Sequence, residues 1–296
     1  MKNEPIRHHY IPQFILRNFC FDNKGNVHYY DKNNDSFSVE QTRNVFMSNH
    51  LYRDEINAPE NPTIIEQDLA VFENEVSQIL KDKFLKCTEF TLDMEEDAKL
   101  KLFFAIMGFR SEMVREFFKN GLDKKSKRLY SKYQNDRDFE DLWKRNLGLV
   151  VKCRSIVEVI DHPQIDDIIK LFFQRDTVGV FGLYFVVAES YRGEEFVIGD
   201  TYPVVITGSL SNGIPLPLYS IFPLSPKRVL LVVSNGVESA SREVSKLRPC
   251  VLSLPKMDVD GTYTHRVKRL YSEEVKMLNA YTIKEAKNGV VYRSID

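Results

Sequence analysis

The chain has 296 residues, 43% hydrophobic and 28% charged, with 41 Lys and Arg against 42 Asp and Glu for a net charge of −1. That length is enough for a core without staples, and the near-neutral balance argues against indiscriminate attraction to polyanions while leaving room for a local basic patch. Cys20, Cys87, Cys153 and Cys250 form no CxxC pair, which excludes a zinc finger and a disulfide framework. Met1 to Arg17 has no sustained apolar core, and no run approaches the ~18 apolar residues of a membrane helix, so a cytoplasmic protein without membrane contact is expected.

The first segment of note is Arg7-His8-His9-Tyr10-Ile11-Pro12-Gln13-Phe14-Ile15-Leu16-Arg17-Asn18-Phe19. Pro12 pushes the residue before it toward extended backbone and suits a first helical turn, so His8 to Ile11 read as an arm and Pro12 to Phe19 as a short helix. Neighbouring side chains on the arm point to opposite faces, so His8 and His9 diverge. Gln13 and Arg17 share a helix face. Polar groups in so apolar a segment need partners when buried. Gly25 to Asp31 and Asp35 to Val39 read as a hairpin, Val45 to Arg53 as extended, and Ala58 to Pro62 as a loop.

Ile65, Leu69, Phe72, Val76, Ile79 and Leu80 recur at about 100° per residue and predict a helix over 64–84. Thr63 and Glu66 fit a capping box at its start. Glu66 and Glu73 lie one heptad apart, about 20° from each other, at the edge of the apolar stripe. A second helix is expected over 93–119, with Arg110 within about 20° of Phe103 on its apolar face. A guanidinium cannot be buried alone. Glu66 and Glu73 are its natural partners, either as a structural ion pair or as part of a ligand site. Residues 119–144 are dense in charge of both signs, with Tyr130, Tyr133 and Trp143 interspersed, and read as a solvated helical excursion.

Residues 154–160 read as a short helix or strand, His162-Pro163 as a break, and 164–174 as a helix. The period then changes to short β-rich runs at 179–188, 195–199, 203–207, 218–223 and 229–233, without the helical inserts of βαβ units. Asp200 ends one of these runs, where loops carry function or where an aspartate forms a turn. Pro223 to Pro226 reads as a turn. A last helix spans 272–288, with Asn279 on its inward side and in need of partners.

His8-His9-Tyr10-x-Pro12-Gln13-x-x-Leu16-Arg17-x-Phe19 resembles the opening signature of a bacterial family known as domain of unknown function 4238. Further similarity runs through Leu51-Tyr52, Ile65-Glu66, Phe72-Glu73, Arg110, Ile198 to Pro203, Pro223 to Pro226 and Leu278 to Ala280, nearly the whole chain. The departures are Gly199 before the aspartate and Thr201 after it, where the family pattern suggests a small or polar residue and an asparagine. The resemblance implies a shared fold and pocket and transfers no activity.

The resulting expectation is an α+β fold, a mostly antiparallel sheet from the N- and C-terminal segments packed on a central helical layer. It is read as one domain over 1–296, with an arm and hairpin (1–60), helical layer (61–175), antiparallel strands (176–260) and a C-terminal helix (272–288). Its candidate catalytic set is His8, His9, Glu66, Glu73, Arg110 and Asp200, with Tyr10, Gln13, Arg17 and Asn279 around a ligand. His9, Glu66, Glu73 and Asp200 suit a divalent metal. That set points to a metal-dependent hydrolase of phosphodiesters, nuclease-like, acting on nucleic acid or nucleotide. The alternative is a non-catalytic sensor or binding protein for a small anion, and a third reading is a buried network of structural meaning only. A role in phage defence is a further conjecture, which growth under phage challenge tests.

Overall fold

The structure, a computed structural model, describes residues 7–111, 114–115, 139–177, 183–191, 193–209, 215–234 and 247–294. It is an α+β fold with mostly antiparallel strand pairing. In chain order, β1 (Arg7–His9) leads through Pro12 into α1 (Gln13–Leu16) and a 3-10 turn. The strands β2 (Asn26–Asp31), β3 (Ser36–Gln41) and β4 (Met47–Asn49) follow. Next come α2 (Ile64–Ile79), which widens into a π-helical turn at Leu80–Phe84, then β5 (Glu89–Leu92) and α3 (Met94–Phe109). After them run α4 (Phe139–Val150), α5 (Ile156–Asp161) and α6 (Asp167–Thr177). The remaining elements are β6 (Leu183–Ser190), β7 (Ile198–Gly199), β8 (Val204–Ser209), β9 (Pro215–Ser225), β10 (Arg228–Ser234), β11 (Lys256–Met257), β12 (Tyr263–Arg266), β13 (Lys268–Leu270), α7 (Ser272–Glu285) and β14 (Gly289–Tyr292). The chain divides into two compact units: residues 1–10, 47–76 and 98–176, and residues 11–46, 77–97 and 177–296.

In the first unit β1 pairs antiparallel with β4, His8 opposite Ser48. The α2 helix buries Ile65, Leu69, Phe72 and Val76, its expected stripe. The α3 helix is apolar on every side, with Leu102, Phe103, Phe104, Ile106, Met107 and Phe109 all buried, as an interior helix must be. It stops at Phe109 and does not run on to 119. Ser111 donates its N–H to Gly108 O at 3.2 Å, and its own O and Oγ accept from Arg115 N at 3.0 Å and Val114 N at 3.4 Å. A serine that starts a new turn thus ends the old helix, although the apolar spacing continues past it. Of the charged stretch expected as a solvated excursion over 119–144, residues 119–138 lie outside the described residues, and the remainder belongs to α4, where Leu142 and Trp143 are buried and not solvated because they form that helix's apolar face. Ser155 caps α5 through Glu158 N.

In the second unit β2 and β3 form the expected hairpin. Asp31 Oδ1 accepts from Asn33 N and Asn34 N to shape its turn, and Gly25 supplies the left-handed φ of +82° that precedes it. The hairpin belongs to a four-stranded sheet ordered β3-β2-β14-β7, so segments from both ends of the chain meet in one sheet. The expected strand over 195–199 shrinks to Ile198–Gly199, because Asn279 holds the residues before it by side-chain hydrogen bonds. A second sheet runs β13-β6-β10-β9-β8. Leu218, Ile221, Val229, Leu231 and Val233 pack there with Val275 and Leu278 of α7 in one core. Residues 223–225, expected in a turn, continue β9. The turn begins only after them, where Ser225 Oγ accepts from Lys227 N and Arg228 N. No helix among the described residues is long and apolar enough to cross a membrane.

Candidate functional site

The first unit concentrates its buried polar chemistry around Arg110, which is 1% exposed. Arg110 follows α3 directly, where its N–H still donates to Ile106 O at 2.8 Å, so the cation sits at the negative end of that helix. Trp143, fully buried on α4, donates Nε1–H to Phe109 O at 3.1 Å and so satisfies one carbonyl of the helix end. The Trp143 ring lies 6.2 Å from Tyr52, which stacks within 6° of parallel on His8 at 5.6 Å. A column of rings therefore links the N-terminal arm to the helix end that presents the guanidinium.

His8 is buried and His9 half-buried, as alternation along the arm requires. Tyr52 N–H donates to His8 Nδ1 at 2.8 Å, which assigns the proton of a neutral imidazole to Nε2. The Tyr52 hydroxyl donates to His9 O at 3.4 Å. Burial raises the Tyr52 phenol well above its ordinary range; Arg110 and Arg115 oppose the shift, and Glu66 and Glu73 reinforce it. The phenol is therefore a neutral hydroxyl within the field of all four charged side chains.

Arg110 Nη1 donates to Glu73 Oε1 at 2.6 Å, in an ion pair between a buried guanidinium and a carboxylate that is 20% exposed. Arg110 Nε and Nη2 are buried with no hydrogen-bond partner, and Arg115 Nε is in the same condition. On a guanidinium, Nε–H and one Nη2–H lie side by side along one edge, the edge that meets a carboxylate or phosphate bidentately. Glu73 occupies Nη1 and leaves that edge without a protein acceptor among the described residues. Buried charged donors without acceptors are costly, and each calls for a water, an ion or a ligand.

Glu66 stands on the same flank of α2 and does not form the expected capping box. Thr63 Oγ1 instead donates to Asn61 and accepts from Gln67 Nε2. Desolvation, reinforced by the charge of Glu73 and opposed by Arg110, pushes the Glu66 carboxyl up to about 7. Burial also raises Glu73, with Arg110 pulling the other way. Glu66 titrates near 4.5 when unfolded and about 7 when folded, so the folded state holds the extra proton between those values. Its contribution is intact below about 4.5 and is lost as pH rises through about 7. Thermal melts across that window should show stability falling with pH more steeply in the wild type than in Glu66→Gln. Equal slopes would remove Glu66 as the titrating group.

Asp200, Asn279 and Gln13 serve local structure in the second unit. Asp200 accepts from Lys287 N at 2.7 Å, Asn288 N at 2.7 Å and Asn288 Nδ2 at 2.8 Å, which fixes the turn between α7 and β14. Asn279 spends both ends of its amide on the backbone at Val197 and Glu195. Gln13 Nε2 donates to Thr42 O, Arg17 is exposed and Tyr10 is half-buried. No three His, Cys, Asp or Glu are grouped to hold a metal ion among the described residues. Sequence reasoning passed over Tyr52, Arg115 and Trp143 as parts of this cluster. Trp143 carried a usable signal as the only tryptophan, since a buried indole needs an acceptor for its N–H.

Neither the curated proteins nor the solved structures contain a match to this chain. A family model described as "Protein of unknown function (DUF4238)" matches residues 7–296, and the chain belongs to that family.

Proposed function

We propose that the protein binds or senses a small oxyanion, which the first unit captures on the side-on edge of Arg110. The observation that carries this reading is the pair of buried, unpartnered donors at Nε and Nη2, in the geometry that recognises carboxylates and phosphates. Glu73 holds the other side of the guanidinium and fixes its plane. Glu66, close to half-protonated at neutral pH, supplies an O–H to a second oxygen of the anion when it carries its proton.

Sulfate tests this, because it keeps its charge over the relevant pH range. Sulfate should raise the melting temperature of the wild type, with roughly tenfold tighter apparent binding at pH 6 than at pH 8 because protonated Glu66 is then abundant. Arg110→Lys keeps the charge but lacks the fork, and should lose the response. Glu66→Gln should respond equally at both pH values. A wild type indifferent to sulfate, acetate and inorganic phosphate alike would refute the reading.

Glu66 favours a second reading, hydrolysis of a phosphodiester in nucleic acid or a nucleotide. A carboxyl that titrates near working pH suits general acid–base catalysis, with Arg110 set against the charge of the transition state. Turnover of a generic phosphodiester that disappears in Glu66→Gln, while sulfate binding persists, would favour it over simple capture.

A further inference from the structure

The second unit carries a separate hollow of about 690 Å³, lined by Tyr191, Arg248, Val267, Lys268, Arg269 and Tyr271 among others. Its lining includes three cations and no carboxylate. Arg248 is held flat. Its Nε and Nη2 each donate to Glu274 at 2.8 Å, Nη2 also donates to Arg269 O at 2.7 Å, and its carbon centre sits 4.0 Å above the Tyr271 ring. Arg269 lies 5.6 Å over the Tyr191 ring, and both tyrosines are well exposed, at 54% for Tyr271 and 39% for Tyr191. Lys268 Nζ donates to Ser253 Oγ at 2.9 Å and has no carboxylate partner among the described residues. Arg269 stands 3.7 Å from Glu189 with its side chain 69% exposed.

The geometry points to a nucleotide-binding subsite here, with the base stacked on the outer face of the exposed Tyr271 ring, whose other face Arg248 covers, and the phosphate on Lys268 and Arg269. A bare anion would leave the outer face of the Tyr271–Arg248 stack unused, and a neutral aromatic compound would leave the cations unused. A nucleotide engages both, since bases stack on tyrosine rings and on guanidinium planes while lysine and arginine meet the phosphate. The pre-assembled stack also lowers the ordering cost of binding, because Arg248 is immobilised before a ligand arrives. The nucleotide is free or a unit of a single strand; the chemistry is shared, and the experiment separates the two.

The test is fluorescence anisotropy with a labelled short oligouridylate on the full chain, competed with UMP. Lys268→Glu and Arg269→Glu should each weaken binding about tenfold, and the dependence on log salt should flatten by about 0.7 for each phosphate that a reversal leaves without its cation. Tyr271→Ala should weaken binding roughly tenfold while Tyr271→Phe, which keeps the ring, holds it. Competition by UMP identifies a single nucleotide as sufficient, and binding of the oligonucleotide without competition identifies a strand; both support the subsite. Absence of binding at low salt overturns it, as does binding that ignores the charge reversals or fails to separate Tyr271→Ala from Tyr271→Phe. Lys24→Glu, a charge reversal at an exposed lysine that does not line the hollow, should leave oligonucleotide binding intact, and an equal loss in that variant would overturn the subsite by showing that binding follows net charge alone.

Discussion

Replacing Arg110 with methionine is expected to cost about 3–5 kcal/mol of folding stability, the usual penalty for removing one partner of a buried ion pair. The guanidinium is 1% exposed and its Nη1 is the one hydrogen-bond partner of the Glu73 carboxylate among the described residues. Without it Glu73 must either remain charged in a desolvated position or take up a proton. Burial already raises the Glu73 carboxyl while Arg110 pulls it down, so losing the arginine raises it further. The penalty should therefore be greater at alkaline pH than at acid pH, and urea denaturation at both reads it directly. The double variant Arg110→Met, Glu73→Gln should lose much less than the sum of the single changes. Additive losses would mean that the two side chains are close without being energetically coupled, and a pH-independent loss would mean that Glu73 is not the group left stranded.

Asp200→Ala should cost about 2–4 kcal/mol, for a different reason. One carboxylate serves two main-chain N–H groups and one side-chain amide at Lys287 and Asn288. Hydrogen bonds to charged acceptors contribute about 1.5–3 kcal/mol each, and part of that is recovered when water reaches the freed donors. The turn they fix delivers β14 between β2 and β7, so its loosening should release a central strand of the four-stranded sheet. Hydrogen exchange at Val290 and Val291 should accelerate first. Asp200→Asn keeps one acceptor oxygen and should cost about half as much. The response to sulfate should survive both changes. A well-folded Asp200→Asn variant that no longer binds sulfate would show that the residue belongs to a site and not only to a turn.

Local pattern made much of this fold legible. The hairpin, the inward stripe of α2 and the burial of Arg110 all follow from spacing and from the intolerance of a lone charge in an apolar face. What spacing does not carry is pairing at long range. The segment 289–292 is too short to declare itself a strand, and it becomes one because residues 28–31 and 198–199 flank it. Gly289 belongs to the same account, since a Cβ there would overlap the ring and hydroxyl of Tyr29. The end of α3 was hidden for another reason: Ser111 interrupts the helix by hydrogen bonds, while Val114 continues its apolar rhythm. Asp200 illustrates the third limit. A strand-end aspartate looks the same in sequence whether it meets a substrate or two amides 87 and 88 positions away.

The unpaired edge of Arg110 can be observed directly in the ¹H–¹⁵N spectrum of the arginine Nε groups, with the Arg110 resonance assigned by its absence in Arg110→Lys. Addition of sulfate at pH 6 should move that resonance in a saturable way, and the same titration at pH 8 should need a higher concentration. An Arg110 signal that stays fixed while those of exposed arginines drift with ionic strength would contradict oxyanion capture at this edge.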